Sequence, residues 1–179
     1  KFGVIFGSEE RLAKVIGEQR TAISAAFGRI RGKQEWSIKL FLEDARTFKA
    51  QVQEESAALR QKSKTLAALP AGMAYFMEEE FNAELERECA SRLAEEALQT
   101  FEAFKPLAAE AARVKLLDSR LTGRGERMVL NSAYLVANSH LPQFERTVSD
   151  LRGKCAARRF LLEQSGPWPP YHFAEFAHA

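Results

Sequence analysis

The sequence predicts an α+β protein: a small four-stranded sheet with two helices on one face and a long antiparallel helical hairpin inserted in its middle. Three observations carry that expectation. Two period-two apolar runs lie in the first 42 residues, a helical stripe joins them and another joins two apolar runs near the carboxyl end, and a heptad-like stretch fills the centre.

The first run is Phe2, Val4 and Phe6 alternating with Gly3, Ile5 and Gly7, which reads as a short strand ending at glycine. Ser8 is placed to cap a helix with Glu9 and Glu10 in its first turn, and Leu12, Val15, Ile16, Ile23, Phe27 and Ile30 recur at helical spacing until Gly32. Trp36, Ile38, Leu40 and Leu42 then alternate with polar residues, Phe41 excepted, as a second strand.

From Asp44 the period lengthens. Ala45, Val52, Leu59 and Leu66 fall seven apart, and Pro70-Ala71-Gly72 interrupts the pattern before a second helix-rich stretch from about Met73 to Leu116. Phe81, Leu85, Cys89, Ala97, Phe101, Phe104 and Ala108 are its expected inner face. Two such arms around a tight break predict a hairpin, with a kink or boundary near Lys105 imposed by Pro106.

Thr122-Gly123-Arg124-Gly125 reads as a loop, and Met128 to Ala137, apolar on both faces, as a central strand. Pro142 suits the first turn of a helix whose stripe is Leu141, Phe144, Val148, Leu151 and Cys155, closing near Gly153; Phe160 to Leu162 begin the last strand. Without the hairpin, this order is the split βαβ arrangement of a ferredoxin-like sandwich. The expected organisation is residues 1–43 and 117–179 as the sandwich, with 44–116 as the inserted hairpin.

Several functions find no support in these residues. The chain has 179 residues, 28% of them charged, with a formal net charge of +2, so no whole-molecule field would gather nucleic acid or anionic lipid. The longest uncharged stretch, Met128 to Phe144, carries Asn131, Ser132, Asn138, Ser139, His140, Pro142 and Gln143, unlike a membrane-spanning helix. The expected RNA-binding signature of aromatics, glycine and basic residues is missing from both central-strand candidates. Cys89 and Cys155 stand far apart on different helices, which fits a reducing cytoplasm. The first residues lack a starting Met and the regions of a signal peptide, so a fragment of something longer is expected.

Catalytic constellations are equally weak. The acidic run Glu78-Glu79-Glu80 with Glu84, Glu86 and Glu88 points around most of a helix and reads as a solvated face. His172, Glu175 and His178 have spacing that could meet one ion, but no second cluster completes a site. No Gly-x-Ser-x-Gly elbow and no glycine-rich phosphate cradle occur, so neither an enzyme nor a cofactor is expected.

The carboxyl end differs in kind. Gly166-Pro167-Trp168-Pro169-Pro170-Tyr171-His172-Phe173 strings three prolines among three aromatics, giving an extended backbone of low entropy with large flat side chains. Such a segment either straps its own domain or docks on another protein.

This segment, together with Phe2-Gly3-Val4-Ile5-Phe6, Glu35-Trp36-Ser37-Ile38-Lys39, Gly72-Met73-Ala74-Tyr75-Phe76 and Leu130-Asn131-Ser132-Ala133-Tyr134-Leu135-Val136, resembles in order the landmarks of the gas vesicle protein GvpF/GvpL family. The likeness runs from Phe2 to Phe173. It implies a cytoplasmic accessory protein associated with gas vesicles, without a known catalytic centre or cofactor, and an additional amino-terminal α/β region in a typical member. The implied partners are the small hydrophobic shell protein and other accessory proteins, with neither nucleic acid nor membrane among them. A gas-facing shell subunit exposes apolar and strand-edge surface before assembly, and a partner that covers it would keep it dispersed. The expected contact residues are Trp168, Tyr171 and Phe173, or the hairpin tip at Leu69, Met73, Tyr75 and Phe76. The competing readings are a scaffold that stays in the vesicle wall or an accessory complex, and a ferredoxin-like domain with a small-molecule site.

Overall fold

The computed structural model describes residues 5–118 and 123–174, apart from the side chains of Ala71, Ala74 and Phe76. Ile5 and Phe6 form no strand, and the rest of the first expected strand lies outside the described residues. Helix α1 (Glu9–Glu18) opens at Ser8, whose hydroxyl accepts the Arg11 N–H at 3.3 Å. Gln19 interrupts the expected single helix, and α2 (Arg20–Ile30) continues to Gly32, whose φ of +68° makes the left-handed turn into strand β1.

Strand β1 (Lys33–Leu42) leads to α3 (Ala45–Glu55), capped by Asp44, which accepts the N–H groups of Arg46 at 2.9 Å and Thr47 at 3.2 Å. Ser56 then breaks the heptad run and caps α4 (Ala57–Ala67). After Pro70, α5 (Ala71–Phe104) runs back for 34 residues, about 50 Å at 1.5 Å per residue. It ends where Pro106 begins a 3-10 turn, Lys105–Leu107, as the missing donor requires. The stretch expected to stay helical to Leu116 instead supplies strand β2 (Glu110–Arg113). Strand β3 (Arg127–Ala137) is followed by α6 (Leu141–Ala157), which runs through Gly153, and β4 (Phe160–Trp168).

The sheet order is β2-β3-β1-β4 with every neighbouring pair antiparallel. The connection from β1 to β2 skips over β3, and that from β3 to β4 skips over β1, so both are split crossovers. The expected α+β class and antiparallel sheet stand, while the segments that build it differ: Glu110–Arg113 supplies the fourth strand, and the hairpin base occupies the place expected for the first helix.

One sheet face carries Ile38, Leu40, Leu42, Leu130, Tyr134 and Val136, covered by Phe101 and Phe104 of α5 and Phe144 and Val148 of α6. Phe104 and Phe144 approach to 5.0 Å between ring centroids, and each fully buried ring is worth about 1.5–3 kcal/mol. A second cluster of Val52, Leu59, Phe81, Leu85 and Cys89 zips the hairpin arms, with Phe48 touching both clusters. Leu66 packs partly on the same seam, while Ala45 is exposed. The opposite sheet face buries Ala133 and Leu135, against which Ile30, Ala112 and Val114 pack. No helix among the described residues is long and apolar enough to cross a membrane.

Candidate functional site: a carboxyl-terminal clasp and a hairpin tip

The carboxyl segment continues from the edge strand β4, which pairs along β1. Gly166, at φ +137°, lies so close that a Cβ there would stand 2.9 Å from the Glu35 carbonyl and 3.0 Å from the Trp36 ring, so no larger residue fits without displacement. Trp168 pairs opposite Glu35 and remains 48% exposed, its Nε1 donating to Ser165 Oγ at 3.2 Å. Pro169 and Pro170 then set a tight turn in which the Phe173 N–H donates to the Pro170 carbonyl at 3.1 Å.

This turn brings the segment across the sheet face that the helical core leaves open, forming what we call the clasp, residues 169–174. Glu35 is buried there, and its carboxylate accepts the His172 backbone N–H at 3.0 Å and lies within hydrogen-bond distance, 2.6 Å, of His172 Nδ1. Phe173 enters the Ala133 and Leu135 cluster, and its carbonyl accepts a hydrogen bond from the Arg29 guanidinium of α2. Of the three aromatics expected to face a partner, Trp168 and Tyr171 are both 48% exposed, whereas Phe173 is turned inward at 4%. The segment therefore straps its own sheet through His172 and Phe173 and leaves Trp168 and Tyr171 half-exposed.

The hairpin tip is the second surface. Leu69 is half-buried, its N–H donating to the Leu66 carbonyl at 3.2 Å, while Met73 and Tyr75 are exposed on the first turns of α5. The Phe76 side chain lies outside the described residues. Met77, also exposed, joins this surface and was not singled out from sequence. The arms are tied by ion pairs, Lys49 with Glu86 at 2.6 Å, Lys62 with Glu84 and Arg92 with Glu55, and Arg92 also pairs with Glu88 one turn back on its own helix at 3.0 Å. The acidic run is thus partly structural, Glu78, Glu79 and Glu80 being solvated while Glu84 and Glu86 bridge the arms and Glu88 pairs with Arg92 within α5.

A groove of about 590 Å³ lies between α3 and α5, near the start of β4. Its charges largely engage one another, Arg92 as above and Arg158 with Glu96 at 2.7 Å, and its floor is Phe48, Val52 and Phe160. Burial pushes the Glu96 carboxyl above its ordinary range, with Arg158 opposing. Burial likewise raises the thiols of Cys89 and Cys155, which makes them poor nucleophiles. Glu175 and His178 lie outside the described residues, and among those described no group of three His, Cys, Asp or Glu is placed to hold a metal.

Sequence reasoning missed Glu35 and Arg29 as clasp partners. The signal available was a carboxylate at a strand position next to Trp36, in one of the landmark segments. Three of those landmarks meet here: Glu35-Trp36, Ala133 with Leu135, and Gly166 to Phe173.

The site defines a small α+β protein that presents exposed aromatic side chains from its carboxyl segment and its hairpin tip. The sequence profile of the gas vesicle synthesis protein GvpL/GvpF family matches residues 1–175, and the chain belongs to that family. It is a family of gas vesicle accessory proteins, not known as enzymes. Gas vesicle protein L of Streptomyces sp. (strain CB03234) is 31% identical over 153 residues, which are 85% of this chain and 52% of that protein. The chain thus spans about half the length of the curated relative it matches. The fold is shared with the crystal structures of GvpF from Anabaena sp. PCC7120 (TM-score 0.79, 21% identity) and from Microcystis aeruginosa (TM-score 0.69, 20% identity). Those matches cover 99% and 98% of this chain and 69% of each of theirs.

Proposed function

We propose that this chain acts in gas vesicle formation as an accessory protein that binds the hydrophobic shell protein and keeps it from associating before assembly. Family membership supports the setting, and the observation that carries the binding role is the outward presentation of Trp168 at the end of β4 and of Tyr171 on the clasp pinned to the sheet. Aromatic anchors held rigidly lose little entropy on docking, which suits a transient grip on apolar surface. Leu69, Met73, Tyr75 and Phe76 at the hairpin tip form the second contact region in this reading, and Met77 extends it. Other gas vesicle accessory proteins are further partners, and the setting is the cytoplasm beside growing vesicles.

Co-expression with the shell protein tests the proposal. The wild-type chain is expected to co-purify with it and raise its soluble fraction, and Trp168→Ala with Tyr171→Ala to weaken binding at least about 30-fold while circular dichroism stays native. Binding and shell-protein solubility that do not respond to these changes, nor to Met73→Ala with Tyr75→Ala, would overturn it. Washing purified vesicles separates this role from that of a wall scaffold, since a transient partner is removed and a wall component remains.

A further inference from the structure

The groove between α3 and α5 stands apart from both contact regions described above. It lies where β1 ends and β4 begins, with Leu42 opposite Phe160. The clasp docks on Glu35, roughly 23 Å back along β1 at 3.3 Å per residue. The floor of the groove is apolar: Val52 and Phe160 are buried, and Phe48 meets Phe160 edge-on at 5.8 Å between ring centroids. Its volume, about 590 Å³, is that of an ordinary ligand cleft.

The walls are unbalanced in charge. Glu55, Glu88, Glu95 and Glu96 face Arg92 and Arg158, four carboxylates against two guanidinium groups, on a chain whose formal net charge is +2. The excess has a location. Arg92 takes Glu55 and Glu88, whereas Glu95 pairs with no cation among the described residues and accepts the Gln99 amide at 3.0 Å. Glu96 Oε1 accepts from Arg158 at 2.7 Å, but Oε2 is sealed from solvent without a donor. Burial raises the Glu96 carboxyl above its ordinary range. The folded state therefore binds its proton more tightly than an unfolded chain, and ionised Glu96 subtracts from stability at neutral pH until acid relieves it. A further cation in the groove would offset that cost.

We infer that the groove seats an arginine from a basic segment of a partner protein, its methylene stem on Phe48 and Phe160 and its guanidinium beside Glu95 and Glu96. A long stem covers apolar floor while its charged head stays at the rim. A planar, weakly hydrated guanidinium suits half-buried carboxylates better than an ammonium does. The site shares no residue with the clasp or the hairpin tip, so this inference and the proposal for those regions fail separately.

NMR titration of the full chain with acetyl-Leu-Arg-Leu-amide tests it, with the citrulline counterpart as neutral isostere and spermidine as a free polycation. The arginine peptide is expected to shift amides of α3, of residues 88–99 and of Phe160, and to bind at least about tenfold more tightly than the citrulline peptide. Glu95→Gln with Glu96→Gln should weaken it about tenfold without lowering the urea midpoint. Glu78→Gln with Glu79→Gln removes the same charge from the solvated stretch of α5 and should leave binding unchanged. Equal binding of the citrulline peptide, an equal loss in the Glu78 and Glu79 pair, or spermidine shifting the same amides as strongly overturns the inference. Unchanged affinity in the Glu95 and Glu96 variant overturns it whatever the midpoint.

Discussion

Tyr134 lies at the centre of the packed face, between Phe101, Phe104 and Phe144, with its hydroxyl donating to the Phe101 carbonyl at 3.2 Å. Burial is the first cause that pushes its phenol above the ordinary value of 10.0. The folded state keeps this proton where an unfolded chain would release it. Its contribution to stability is therefore complete below pH 10.0 and is lost as pH rises beyond that value. Tyr134→Phe should cost only about 0.5–1.5 kcal/mol at neutral pH, because the Phe101 carbonyl still accepts the Lys105 N–H. The variant should also lack this share of the alkaline decline, which urea midpoints at neutral pH and about one unit above the ordinary phenol value would check. Other residues show where sequence stops being informative. Phe173 reads as an exposed aromatic beside Trp168 and Tyr171, yet its direction is set by a turn, by its own contact with Arg29 and by that of His172 with Glu35, each more than a hundred positions away.

At the scale of elements, local signals were legible wherever local chemistry decides. Ser8, Gly32, Pro106 and Pro142 each mark the helix boundary that their donors, acceptors or φ preferences demand. Strand β2 was not legible, because Glu110-Ala-Ala-Arg113 carries no alternation and favours helix; pairing of Glu110–Arg113 with Ser132–Leu135 overrides that preference. The joint at Ser56 was hidden for the opposite reason, since the seven-residue row of Ala45, Val52, Leu59 and Leu66 passes across it, although Glu55 and Lys62 interrupt the companion row. Its hydroxyl accepts the Leu59 N–H at 3.4 Å, and its own N–H closes α3 on the Val52 carbonyl at 3.1 Å. Ser56→Ala is expected to cost about 0.5–2 kcal/mol, seen as faster exchange in the first turn of α4.

The molecule as a whole has two apolar clusters joined through Phe48, one under the sheet and one between the hairpin arms. The outer cluster lacks the sheet's backing, so it should open first. Leu85→Ala removes a side chain that is 2% exposed from the middle of that cluster, and should weaken it by about 2–5 kcal/mol. Exchange should then rise through α4 and the first half of α5 while β1 and β3 remain protected, and uniform loss of protection would show the two clusters to be one cooperative unit.

The two tryptophans sit in opposite surroundings. Trp36 stacks obliquely on Phe144 at 6.5 Å with its indole nitrogen sealed from solvent, while Trp168 stands half in water. Ultraviolet emission from this chain is thus the sum of a quencher-resistant band and a redder, quencher-sensitive one. A client settling on the clasp would blue-shift only the second, giving the native protein an optical reporter of occupancy that needs no dye.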